Sequence, residues 1–168
     1  MKASGIEVRR ARLDDAAAIL AIYNGEVTTS TVTFDLVPRT LADQRRWITD
    51  RSGAHAAVVA VCDGELVGFG SLSSYRDRPA YSTSVEDSVY VDPAHQGAGV
   101  GRALLEELVA LATAHGFHTV MARVVGGHEA SIALHRAAGF EVVGTEREVG
   151  RKFGRWLDVV VLQRLLSH

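Results

Sequence analysis

Three glycines at alternate positions, in Gln96-Gly97-Ala98-Gly99-Val100-Gly101, separate a β-branched run, Val89-Tyr90-Val91, from the apolar helical pattern of RALLEELVALATAHG. Glycine costs backbone entropy in an ordered segment, so this spacing at a strand-to-helix junction needs a reason. Either the turn requires small residues, or bare N–H groups face an anion at the start of a helix, where several donors lack internal partners and the dipole favours negative charge. The stretch has neither GxGxxG spacing nor a Gly-Lys-Ser/Thr end, so a nucleotide-binding reading loses its specific support. What it does fix is a strand–loop–helix unit in the middle of the chain.

Around that unit the hydrophobic periodicity is regular. Ile6–Arg10 alternates as a strand, and Asp14 or Asp15 is expected to cap a helix carrying Ile19, Leu20, Tyr23 and Val27. Thr40 with Asp43 opens a second helix with Leu41, Trp47 and Ile48. Ala56 to Ser74 reads as a hairpin turning at Asp63-Gly64, followed by a strand at Ser84–Val91. Beyond the glycines, a helix ends at Gly116, Thr119–Val124 is strand, Glu129–Ala138 is helix, and Glu141–Gly144 and Leu157–Leu162 are strands. The order is β-α-α-β-β-β-α-β-α-β-β. It predicts a mixed α/β (α+β) fold: one mostly antiparallel sheet flanked by helices, with a parallel or diverging pair from the unit spanning Val85 to Val124.

The 168 residues fit a single domain over 1–168, without repeat, low-complexity tract or interior linker. Lys+Arg 18 against Asp+Glu 20 gives a net charge of -2, so the overall balance asks for neither nucleic acid nor an anionic membrane, and any anion site must be local. No apolar run approaches a membrane span and MKASGIEVRRARLDD has no apolar signal core, so a cytoplasmic protein is expected. Cys62 is the single cysteine, which rules out an internal disulfide, and its place in Ala-Val-Val-Ala-Val-Cys reads as strand packing. His115, His118, His128 and His135 lack HExxH or comparable spacing, so no metal is expected.

With the strand before it and the element order around it, Q-x-x-G-x-G resembles the acyl-CoA pyrophosphate loop of the GCN5-related N-acetyltransferase (GNAT) superfamily. Four further stretches, STVTFDLVPRT, VEDSVYVDPAHQGAGVG, SIALHRAAGF and VGRKFGRWLDVVVLQ, are similar to the phosphinothricin and methionine sulfone N-acetyltransferase branch over nearly the whole chain. The last carries Lys152, Gly154, Trp156 and Asp158 in that branch's K-x-G-x-W-x-D order. The resemblance implies acetyl-CoA as cosubstrate, its diphosphate on the N–H groups of Gly97, Ala98, Gly99, Val100, Gly101 and Arg102. The same resemblance implies that Gln96, the strand Val89-Tyr90-Val91, His128 and Ser131 also border the cofactor. His128 stands where relatives usually carry an asparagine, which puts that residue's pantetheine hydrogen bond in question.

Acetyl transfer to an amine needs a free lone pair on nitrogen, a stabilised oxyanion and a proton for the leaving thiolate. The resemblance gives Glu86 the part of general base, acting directly or through a water. Asp87 is its neighbour but points to the opposite face by strand alternation. His135 takes the place of an acid for the thiolate, or of a hydrogen-bonding group at the pantetheine end. By the same resemblance Arg76, Arg78 and Tyr81, in YRDRPAY, contact the carboxylate and side-group oxygens of a small amino-acid-like amine, and Phe34 packs against its aliphatic part. Alternatives are transfer to a polyamine, an aminoglycoside or a protein N-terminus, or an acyl-CoA-binding module without turnover. The branch and the apolar strand Val159–Leu162, which could also be plain core, point to a homodimer.

Overall fold

In the computed structural model, which describes residues 5–167, the elements follow in the expected order: β1 (Ile6–Arg10), α1 (Ala16–Thr29), α2 (Leu41–Thr49), β2 (Ala57–Cys62), β3 (Glu65–Ser74), β4 (Ser84–Val91), α3 (Val100–Ala114), β5 (Thr119–Val125), α4 (Glu129–Ala137), β6 (Glu141–Lys152) and β7 (Arg155–Leu165). The strands form one sheet in the order β1-β2-β3-β4-β5-β7-β6. Only β4 and β5 pair in parallel; the other neighbours run antiparallel.

Each sheet face buries a separate cluster. On one, Leu104, Leu105, Leu108 and Ala112 of α3 pack on Val58, Ala60, Leu72, Val85, Val120 and Leu162. On the other, Ile19, Tyr23 and Val27 of α1 and Ile48 of α2 cover Val59 and Phe69. Helical spacing sets these contacts: positions 104, 105, 108 and 112 share one stripe of α3, and 19, 23 and 27 one stripe of α1. Truncating a fully buried leucine such as Leu108 to alanine costs about 2–5 kcal/mol in sites of this kind.

Local sequence signals explain most boundaries. Thr40 and Asp43 form the expected reciprocal cap, Asp43 N donating to Thr40 Oγ1 and Thr40 N to Asp43 Oδ2. The start of α1 differs from expectation. Asp15 takes the expected N-cap position, but its side chain makes no bond to the α1 amides; it reaches back to accept from Arg12 N and, at 2.8 and 2.9 Å, from both terminal nitrogens of Arg9, while a single 3₁₀ turn, Leu13–Asp15, precedes the helix. Cys62, at the end of β2, is half-buried against the α3-side core.

The last two strands are longer than their apolar cores, Glu141–Gly144 and Leu157–Leu162, indicated. Pairing extends to a Phe153-Gly154 turn between Lys152 and Arg155, and it slips register between Val142 and Gly144 and again between Glu146 and Gly150. Those irregularities break the alternation from which strand length is read. No helix among the described residues is long and apolar enough to cross a membrane.

Candidate active site

The parallel pair β4–β5 is what opens the sheet. Its register runs Ser84↔Thr119, Val85↔Val120 and Glu86↔Met121, whereas β4 stays paired with β3 as far as Gly68↔Val91. Beyond Glu86, β4 and β5 therefore part, and a cavity of about 740 Å³ occupies the wedge. One end is closed by the glycine loop, the other by α4.

At the loop, Gly97 and Gly99 have φ of 79° and 86°, left-handed backbone that side chains with a Cβ rarely adopt. Gly99 is the residue on which α3 begins, and the first bond from the helix amides is Ala103 N to Gly99 O at 3.1 Å. The N–H groups of Val100, Gly101 and Arg102 precede it, so they have no intrahelical acceptor. That donor set, at a positive dipole end beside a large cavity, fits a diphosphate. The Arg102 side chain turns instead to Glu106, at 2.9 Å.

Of the cofactor residues expected from sequence, Val89, Tyr90, Val91, Gln96, Gly97, Gly99, Val100, Gly101, Arg102, His128 and Ser131 line this cavity; Ala98 does not. Further along the wedge lie Asp87 and Ser88, within the VEDSVYV stretch but given no cofactor role from sequence, and the β5 segment Ala122–Val125, which carries no motif signal. Strand divergence alone brings them there. His128 Nε2 lies 2.8 Å from Thr31 Oγ1, tying the start of α4 to the loop after α1.

His135 and Asp87 meet at the inner wall. His135 Nδ1 is 2.8 Å from the carbonyl oxygen of Ser131 and its Nε2 is 2.9 Å from Asp87 Oδ1. Both partners are acceptors, so both ring nitrogens donate and the imidazolium form suits the site. Burial pulls the His135 pKa down, but the hydrogen bond and charge of Asp87, with the Ser131 carbonyl, outweigh it and the net direction is up. Alternation placed Asp87 on the face opposite Glu86; only the tertiary fold reveals that it holds His135.

Glu86 sits on the α1/α2 side of β4 and does not line the large cavity. Its Oε1 is 4.0 Å from Arg123 Nε of β5, while Arg123 also makes a close contact with Glu146 of β6. Burial raises the Glu86 pKa above the usual carboxylate range, Arg123 and Arg76 oppose that, and neighbouring Asp87 adds to it. A half-buried carboxylate tuned upward yet held by a cation is chemically suited to exchange a proton.

Of the expected acceptor residues, Arg76 alone acts on this carboxylate. Arg76 is exposed, lies over Tyr75 at 4.9 Å and Tyr81 at 5.8 Å, and its charge reaches Glu86. Arg78 is exposed and caps the 3₁₀ turn Pro79–Tyr81 through its backbone. Phe34 is packed over β6 at Gly150, where any Cβ would collide with its ring. Its loop is pinned by Lys152, which is buried and donates from Nζ to Thr33 O at 2.9 Å, and by Asn24, which exchanges two hydrogen bonds with the Arg39 backbone. Asp158, last of the K-x-G-x-W-x-D set, accepts from Glu148 N at 2.8 Å and so braces the β6–β7 hairpin.

The model of the acetyltransferase (GNAT) domain matches residues 8–161. A Pseudomonas aeruginosa protein named L-methionine sulfoximine/L-methionine sulfone acetyltransferase is 38% identical over 158 residues, 93% of this chain and 92% of that one. An Alcaligenes faecalis phosphinothricin N-acetyltransferase is 41% identical over 162 residues, 95% and 82% of the respective chains. Among solved structures, a Sinorhizobium meliloti phosphinothricin acetyltransferase in complex with acetyl-CoA superposes with a TM-score of 0.93 at 39% identity, covering 97% of this chain and 89% of that one.

Proposed function

The chain belongs to the GNAT acetyltransferase family and is an acetyl-CoA-dependent N-acetyltransferase; from that premise we propose that its acceptor is a small amino-acid-like amine with an oxygen-rich side group, such as methionine sulfone, methionine sulfoximine or phosphinothricin. The observation that supports this reading is the cationic loop after β3: exposed Arg76 lies over Tyr75 at 4.9 Å, and its charge reaches Glu86. A guanidinium fork grips two oxygens of one group. The same charge repels polyamines and aminoglycosides. Arg76, Arg78 and Tyr81 then meet the carboxylate and the side-group oxygens at the open mouth, and Phe34 packs on the aliphatic chain.

Acetyl-CoA supplies an acetyl group activated as a thioester, and the chain's residues do the rest. The N–H groups from Gly97 to Arg102 hold the diphosphate. Glu86, directly or through one water, takes a proton from the acceptor ammonium and frees its lone pair for attack. A backbone N–H of the Val89–Val91 stretch stabilises the oxygen on which negative charge develops. His135, whose protons are engaged by Ser131 and Asp87, offers the departing thiolate a fixed positive charge. It gives up a proton only as the Asp87 bond loosens.

A thiol-release assay across amino acids, their sulfones and sulfoximines, phosphinothricin, polyamines, aminoglycosides and a short peptide tests the acceptor. The expected result is amine-dependent release of CoA with the first four groups. Inert sulfones, sulfoximines and phosphinothricin beside reactive polycations or peptide would overturn the reading, and binding of acetyl-CoA with no turnover on any amine would make the chain a binding module.

The homodimer is part of the same proposal. The expected motive, Val159–Leu162, does not carry it, since Val159 and Leu162 are buried in β7 between β5 and β6; support comes from apolar side chains left exposed along the edge hairpin β6–β7, among them Val143, Val149, Phe153 and Trp156, each more than half accessible. Patches of this kind mark protein interfaces. Light scattering at micromolar concentration should give twice the 18.1 kDa chain mass; the monomer mass would refute it.

A further inference from the structure

Gly150 of β6 lies against the Phe34 ring. Its backbone is outside the left-handed region, so conformational freedom is not what requires glycine there. Close approach is. A Cβ at this position would lie 2.4 Å from Phe34 Cζ and 2.5 Å from Cε2, against ordinary carbon–carbon contacts of about 3.5–4.0 Å. The local chain is shaped to bring the two together. β6 slips register between Glu146 and Gly150, Glu148 takes a φ of 52°, and Asp158 Oδ1 of β7 accepts from Glu148 N at 2.8 Å, which fixes the bulge. A bulge bends its strand and re-aims the residues that follow.

Lys152, two residues on and so on the same face of the strand, holds the backbone beside that ring. It is 3% exposed and donates from Nζ to Thr33 O at 2.9 Å. Among the described residues it forms no salt bridge, and the Phe153 ring lies 5.2 Å from Nζ. Burial pulls its pKa down, against the charges of Asp35 and Glu26. An ammonium placed this deep is costly, and an apolar side chain of the same length would fill the space without that cost. What the lysine adds is a fixed Thr33. The Thr33 hydroxyl is also held, 3.1 Å from that of Tyr23, so the loop is clamped by β6 on one side and by α1 on the other. Phe34, the next residue, is 39% exposed: its ring rests on Gly150 and part of it stays open.

We propose that Gly150 and Lys152 are specificity-determining residues: together they set the height of the Phe34 ring, and thereby the length of acceptor side group that fits against it. The inference rests on the reading that Phe34 packs on the aliphatic part of an amino-acid acceptor. Both residues act through Phe34 and act as positioning residues. A bare backbone at 150 lets the ring settle onto β6 and leaves room above it. Any side chain there lifts the ring by about 1 Å, from 2.4 Å to an ordinary contact, a distance comparable to one methylene of the acceptor. An apolar wall discriminates one methylene by roughly 10- to 200-fold, so glycine at 150 favours the longer side group. The same arrangement accounts for three residues of K-x-G-x-W-x-D. Lys152 clamps the loop, Gly154, with φ of 71°, makes the turn into β7, and Asp158 holds the bulge.

The test measures kcat/KM for methionine sulfone and for its homologue one methylene shorter, S-methylcysteine sulfone, in wild type, Gly150→Ala, Phe34→Ala and the double variant, with acetyl-CoA affinity followed by calorimetry. Gly150→Ala should lower the ratio of longer to shorter acceptor by roughly 10-fold or more, through KM rather than kcat, and leave acetyl-CoA binding unchanged. In the Phe34→Ala background the same substitution should change nothing, because the ring it displaces is gone. Lys152→Met, which keeps the packing and drops the donor, should raise the acceptor KM by roughly 10-fold and weaken the same length preference, and Lys152→Gln, which retains an N–H, should restore part of both. A ratio unaltered in Gly150→Ala, or altered equally with and without Phe34, overturns the inference and leaves the amino-acid reading standing. Should Gly150→Ala fail to melt as a folded protein, Lys152→Met decides, an unaltered ratio there overturning the inference. Failure of wild type to acetylate any amino acid removes the broader reading, and this inference with it.

Discussion

Asp87 and Glu86 are adjacent carboxylates on β4 with opposite fates. Asp87 faces α4, its side chain 1% exposed, and is bonded to His135 at 2.9 Å. Glu86 faces the α1/α2 side with its side chain 30% exposed, and its nearest cation is 4.0 Å away. The other residues of the strand follow the same division: Val89 and Val91 pack against the α3-side core, while Tyr90 lies against Tyr23 and Phe69. A carboxylate held at hydrogen-bond distance in a dry site serves the structure; one left half-solvated beside a looser partner stays free to exchange protons. The difference between the two is partner distance and access.

The sharpest way to break that division is to neutralise each carboxylate in turn. Glu86→Gln should lower kcat by about 100- to 10,000-fold, the usual span for a general base, with partial recovery at high pH where the amine is already free. Thermal stability and acetyl-CoA affinity should hold. A wild-type pH–rate profile in this variant would remove Glu86 from the mechanism.

Asp87→Asn should do the reverse, striking stability first. Leaving His135 buried without its counter-charge is expected to cost about 3–5 kcal/mol in urea unfolding. The pH dependence carries a definite sign. Because the His135 pKa is raised above its unfolded value of 6.5, the pair's stabilisation is fully present below about pH 6.5 and is lost as pH rises through the higher folded value. Wild type should therefore weaken across that window while Asp87→Asn stays flatter. Equal slopes would mean that the pair does not titrate as described.

A smaller effect separates the two sides of the strand by ligand. Gly99→Val forces a β-branched side chain onto a backbone at φ 86° and places it at the anion-facing loop. Acetyl-CoA affinity should fall by about 10- to 150-fold for each N–H bond to the diphosphate that is broken, with the acceptor KM little changed. Calorimetry that finds unaltered acetyl-CoA binding by folded Gly99→Val would detach the loop from the cofactor.

The same two sides were unequally legible in the sequence. The α3 side, proposed to hold the cofactor, is built from backbone, and a backbone site leaves a compact local trace: glycines at fixed spacing between a strand and a helix. Hence Gln96–Arg102, apart from Ala98, could be placed in the cavity wall from seven consecutive letters. The α1/α2 side has a small cavity built from side chains that the β3–β4 register and α2 bring together, among them positions 39, 51, 71, 73 and 88. No local pattern joins them. Arg39 and Arg51 look like solvent-facing charges at the ends of a short polar helix, and serines in a strand carry no signal. Asp87 was legible in orientation but not in partner, since His135 lies 48 residues away. Period-2 reading also cut β6 short, because its two register slips erase the alternation the reading depends on.

The mildest perturbation acts on how Glu86 is held rather than on Glu86 itself. Arg123 is shared: Nε is 4.0 Å from Glu86, and the other end of the guanidinium contacts Glu146 more closely. Both carboxylates are partly solvated, so each pairing contributes little, and pairs of this kind carry about 0.2–1 kcal/mol. Arg123→Gln removes a charge that opposes the upward pull of burial on Glu86. The base then needs a higher pH to ionise, and the acidic limb of the kcat/KM profile should move up by less than about one pH unit. Glu146→Gln has the opposite sign: Arg123, released from its closer partner, turns to Glu86, and the limb should move down by a similar or smaller amount. Raised salt should shrink both shifts, as it screens exposed charges. Two displacements in the same direction would show that the variants act through strand packing rather than through the charge on Arg123, and Glu86 would then be tuned by burial alone.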